Sequence, residues 1–80
     1  MSRQNLAIAR TEALAVATIP QHTPLTRTAV DAAIRASILA PGGVRGCAAA
    51  LAQAYGDHPE TARPRVQWAR HTITALYPAA

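Results

Sequence analysis

Acid–base chemistry in this 80-residue chain would have to come from four carboxylates, Glu12, Asp31, Asp57 and Glu60. A carboxylate pair acts as general acid and base only when two environments push the two pKa values apart. Asp57 and Glu60 stand where a helix is expected to start, so capping accounts for both. That leaves Glu12 and Asp31, which only tertiary packing can bring together. Ser2 and Ser37 lack any sequence context that activates a hydroxyl. His22, His58 and His71 are scattered over a loop, a cap and a helix, without metal-ligand spacing. Cys47 is the only cysteine, which excludes an internal disulfide framework and a cysteine-based zinc cluster. The expectation is a protein that is not an enzyme, with no catalytic residue, no metal and no cofactor.

Binding chemistry has more to work with. All eight basic residues are Arg, lysine is absent, and the formal net charge is +4. Such a balance favours acidic partners, although the missing lysine is better explained by the coding bias of a GC-rich genome. Arg63, Gln67, Arg70, His71 and Thr74 fall together on the side of the last helix turned away from its apolar stripe. A row of this kind can lie along nucleic-acid phosphates, with Arg45 as a further contact. A solvated helix face has the same appearance. Ala52, Gly56 and Thr61 have the spacing of a helix-turn-helix, but Asp57 and Arg65 stand where that motif is apolar. Pro64 would also interrupt the presumed recognition helix. Trp68 lies about 120° from the core stripe of its helix, beside Arg65 and Thr72. It either covers the first helix or, with Arg65, forms an aromatic anchor at a protein partner's surface, where Trp and Arg are enriched.

These side chains need elements to hold them, and proline and glycine mark where the elements stop. Breaks at Ile19–Pro24, at Pro41-Gly42-Gly43, at Gly56-Asp57 and at Pro78 leave four segments. The spacing predicts helices over about 4–18, 25–39, 44–55 and 58–77. The first segment is ambiguous, because Leu6/Ile8 and Leu14/Val16 also alternate as a strand would; its alanines tip it to helix. In the second, Thr23-Pro24 reads as an N-cap followed by a first-turn proline, and Val30, Ile34 and Ile38 form the stripe. In the third, Val44, Cys47, Ala48, Leu51, Ala54 and Tyr55 share a face, and Gly56 is placed as a left-handed C-terminal cap. Asp57-His58-Pro59-Glu60 reads as a capping box opening the fourth, whose apolar face is Ala62, Val66, Ala69, Ile73 and Leu76. Pro64 is expected to kink or split that helix.

The stretch Gly56-Asp57-His58-Pro59-Glu60-Thr61-Ala62 is similar to the turn that starts a repeat helix in tetratricopeptide proteins of the kinesin-light-chain type. The departures are a Gly to His-Pro spacing one residue short, Pro64, and the absence of a second repeat. A lone repeat cannot bury its own faces, so the resemblance implies a local turn and not a superhelical array. Pro41 to Cys47 together with Gly56 to Arg70 resembles small actinobacterial proteins of unassigned activity, which adds no mechanism.

Length allows one helical domain spanning residues 1–80. Twenty residues are Ala and there is no Phe, so the helices are expected to pack closely around a thin core. Thin cores are often completed by a partner or a second copy. No apolar run approaches the length of a membrane span, Glu12 argues against reading residues 1–19 as a secretory signal, and a cytoplasmic location is expected. The fold expectation is all-α, a compact bundle of three or four short helices. The leading functional expectation is a small regulatory or adaptor module that binds another protein or itself through Trp68 and Arg65. The alternative is a basic nucleic-acid-binding regulator using Arg63, Arg70 and Arg45.

Overall fold

The computed structural model describes residues 3–21 and 25–78, and within them the chain folds into four helices and no strand. These are α1 (Arg3–Val16), α2 (Arg27–Leu39), α3 (Gly43–Asp57) and α4 (Pro59–Leu76). The protein is an all-α bundle. Among the described residues, no helix is long and apolar enough to cross a membrane.

Helix α1 is the hub and packs against the other three. Ala13, Leu14 and Ala15 are all buried although they are consecutive. Successive side chains on a helix point about 100° apart, so burial of three in a row means that this end of α1 is enclosed on most sides. Alanine permits it, because its small side chain lets three neighbouring helices approach one axis. The α1 residues meet Val30 and Ile34 of α2, Cys47 of α3, and Val66, Ala69 and Ile73 of α4 in a single core. Among the described residues only Leu14 and Val30 are large side chains that are fully buried. Each stabilises the fold by roughly 1.5–3 kcal/mol, so much of the fold's stability rests on few side chains.

The α2–α3 corner forms where Pro41-Gly42-Gly43 was expected to end a helix. Gly42 and Gly43 both have positive φ, 97° and 58°. Gly42 caps α3, its carbonyl accepting from the Gly46 amide at 2.9 Å. The turn is also too tight for side chains: a Cβ on Gly42 would lie 3.0 Å from the Gly46 Cα, and one on Gly46 would lie 3.1 Å from the Pro41 carbonyl oxygen.

Three local expectations are corrected. Thr23-Pro24 lies outside the described residues, and α2 starts at Arg27 with Thr26 as its N-cap, whose hydroxyl accepts from the Ala29 amide at 3.1 Å. Gly56 does not cap α3, which continues through Asp57. The Asp57–Glu60 capping box does not form, because an N-cap residue must already have left the preceding helix. Asp57 is still helical and receives the Gln53 side-chain amide at 3.5 Å. His58 takes both duties: its amide donates to Ala54 in α3, and its carbonyl accepts the Thr61 and Ala62 amides in α4. Pro59 then fills the first position of α4, and Glu60 lies 3.5 Å from the His58 Nδ1, where the helix dipole favours an acid.

Pro64 does not split α4, which runs without a break to Leu76. The donor that proline lacks would have served the Glu60 carbonyl. Both residues are exposed, where water can take the place of that bond.

Candidate interaction surface

Arg65 and Trp68, the expected partner contacts, are used inside the fold. Helix α1 has no basic residue in its last turn, so its C-terminal carbonyls and its negative dipole end need a donor from elsewhere. Arg65 supplies it across the bundle, donating from Nε to the Ala15 carbonyl at 2.9 Å and from a terminal nitrogen to the Ala17 carbonyl at 2.7 Å. Its guanidinium also lies 4.3 Å from the ring centre of Trp68. Burial draws the Arg65 pKa below its ordinary value. Trp68 is half-buried and packed against the core. Of the two readings of Trp68, packing against the bundle describes its position, and Arg65 offers no free fork to a partner.

Two further arginines are engaged at the other end of the molecule. The guanidinium groups of Arg10 and Arg27 lie 4.2 and 4.5 Å from the ring centre of Tyr77. The Tyr77 hydroxyl donates to the Asp31 carboxylate, which Arg27 also approaches at 3.9 Å. This clasp ties α1, α2 and the end of α4 together.

Arg35, Arg45, Arg63 and Arg70 remain exposed and form no ion pair among the described residues. Arg63 and Arg70 share one face of α4, seven residues or about 10 Å apart along the axis. Gln67, His71 and Thr74 are exposed on the same helix, as the periodicity predicted. Arg45 is exposed on a different helix, about 120° around α3 from Leu51.

The surface that sequence reasoning missed is apolar. Helix α3 buries one residue, Cys47. Val44, Ala48, Leu51 and Tyr55 follow one another at intervals of four, three and four, the spacing of a coiled-coil seam. None of them is buried: Val44 is 38% exposed, Tyr55 is 37% exposed, and Ala48 and Leu51 are half-buried. Leu51 lies between two open grooves. One, about 370 Å³, runs between α1 and α4 and is lined by Ile8, Glu12, Val66, Arg70 and Ile73. The other, about 470 Å³, is lined by Val16, Ala54, Ala62 and Arg65. Ile8, 51% exposed, extends the α3 seam onto α1.

No protein-family model, curated protein or solved structure matches this chain.

The groove between α1 and α4 carries the charges of Glu12 and Arg70 among mostly apolar side chains. Cys47 lies beneath it, buried, with its thiol donating to the Ser37 carbonyl at 3.5 Å. Burial pushes the thiol pKa up, and the nearby Glu12 carboxylate adds to the shift. Both effects disfavour the thiolate that nucleophilic or redox chemistry requires. Among the described residues no group of three His, Cys, Asp or Glu side chains is placed to hold a metal ion. One sequence signal for the apolar surface existed: Leu6, Ile8, Leu14 and Val16 of α1 do not fit one stripe, so some had to face outward.

Proposed function

We propose that this chain is a non-enzymatic regulatory or adaptor module that binds another protein through the side of the bundle formed by Ile8 and the outer face of α3. The observation that carries the reading is the seam of exposed Val44 and Tyr55 with half-buried Leu51 between them, continued by exposed Ile8 across the shared groove. Single exposed apolar residues are ordinary. A row at coiled-coil spacing beside two grooves is the arrangement a partner helix packs against. Tyr55 adds an aromatic group of the kind enriched in interface cores. The free, buried Cys47 suits a reducing compartment such as the cytoplasm.

Contact with nucleic-acid phosphates through Arg63 and Arg70, with Arg45 added, is the second reading. Their exposure and freedom from carboxylates support it. It ranks second because Arg70 borders a groove that also contains Ile8 and Glu12, neither of which suits a phosphate backbone.

Gel filtration of nuclease-treated extract from the native cell separates the two. The protein-binding reading expects the 8.4 kDa chain to elute in a larger complex. An Ile8→Ser/Tyr55→Ser variant should then move to the monomer position. A complex that disappears on nuclease treatment, or wild-type protein eluting as a monomer, would contradict that reading.

A further inference from the structure

The groove between α1 and α4 shows what kind of surface would cover it. Its floor is apolar, formed by Leu51, Val66 and Ile73. Ile8 stands on its α1 wall and is half exposed. Glu12 on the α1 wall and Arg70 on the α4 wall are of opposite sign, and neither forms an ion pair among the described residues. The groove therefore presents one acid, one base and an apolar projection above an apolar floor.

A two-fold interface uses the same patch on both subunits, so the patch must be its own complement. The exposed α4 face bearing Arg63 and Arg70 fails that condition, because two copies would set like charges against each other. The α1–α4 groove meets it. With the two-fold axis along the groove, α1 of each copy lies over α4 of the other, so its acid faces a base and its base faces an acid. A groove of about 370 Å³ has room for one aliphatic side chain and its neighbours. The small core adds a reason for association, since a domain with two large side chains fully enclosed among its described residues gains stability from apolar area buried between copies.

We propose that a second copy of this chain covers the groove in a two-fold dimer. Ile8 of each copy enters the groove of the other, and Glu12 of each copy faces Arg70 of the other. The inference rests on the reading of this side as a protein-binding surface and names the partner.

The test is sedimentation equilibrium of the purified full chain, with two charge reversals. Wild-type protein should dimerise. Glu12→Arg alone sets two arginines against each other at both contacts, and Arg70→Glu alone does the same with two glutamates. Each reversal acts twice in a two-fold dimer, so each should raise the dissociation constant by about tenfold or more. An equimolar mixture of the two variants restores opposite charges at both contacts and should recover a heterodimer, identified by a mass tag on one chain. That recovery also shows that the variants are folded, which far-UV circular dichroism of each alone checks independently. A monomeric wild type, a dimer indifferent to both reversals, or a mixture that stays monomeric would each overturn the proposal. If wild type is monomeric while the native extract still holds a nuclease-resistant complex lost in Ile8→Ser/Tyr55→Ser, the protein-binding reading stands and the second copy is the wrong partner.

Discussion

Replacing Leu14 with alanine is expected to destabilise the fold by about 3 kcal/mol, the middle of the range for large-to-small core substitutions. Leu14 is one of two large side chains among the described residues with no exposed surface, and it lies on α1, where the other three helices meet. Its neighbours Ala13 and Ala15 are already small and buried, so nothing nearby can swing in to fill the space. A domain of this size has a total stability of roughly 4–12 kcal/mol, so the loss is a large fraction of the whole. The midpoint of thermal unfolding should fall by about 12–24 °C, at 4–8 °C per kcal/mol for domains of this length. Leu39→Ala is the control: Leu39 is 77% exposed, and the same chemical change there should move the midpoint by only a degree or two. Similar midpoints for the two variants would mean that the core is not centred on α1.

The second large effect is expected at Arg65. Arg65→Met keeps most of the aliphatic stem against Trp68 but removes two charge-assisted bonds to the Ala15 and Ala17 carbonyls. Bonds to a charged group contribute more than neutral ones. Water reaches this half-exposed site and recovers part of the loss, so a destabilisation of about 2 kcal/mol is expected, or roughly 8–16 °C in midpoint. Arg65→Lys should fall between the two, because an ammonium keeps the attraction to the α1 dipole but cannot span both carbonyls. Amide exchange should separate this effect from general loosening, with the end of α1 losing protection before α2 does. A variant as stable as wild type would show that the α1 terminus needs no donor from α4.

What the sequence made legible was whatever depends on near neighbours. The Val30 and Ile34 stripe, the Pro41-Gly42-Gly43 turn, the burial of Cys47 and the apolar face of α4 all follow from periodicity or from one residue's backbone limits. The failures lie where a local pattern competes with a distant partner. Asp57 to Glu60 has the composition of a capping box, but α3 keeps Asp57 because the chain turns at His58. Arg65 reads as a surface arginine until α1 arrives 50 residues away in sequence with carbonyls to satisfy. The face of α3 reads as one core stripe from Val44 to Tyr55. The bundle buries Cys47, half-buries Ala48 and Leu51 and leaves Val44 and Tyr55 exposed, and periodicity alone does not tell how wide a stripe the neighbouring helices cover. Ile8 and Glu12 were missed for a related reason: a lone isoleucine and a lone acid on α1 gain meaning only once Leu51 and Arg70 stand across the groove.

The most direct test of a protein-binding surface on this side of the bundle is photo-crosslinking in the native cell, with a benzoyl-phenylalanine placed at position 8 and, as a comparison, at position 35. Both positions are exposed, but Arg35 lies on α2 and does not line the groove. The account predicts a discrete protein adduct from position 8, of twice the chain mass if the partner is a second copy, and none from position 35. No adduct from position 8, or the same adducts from both positions, would contradict it.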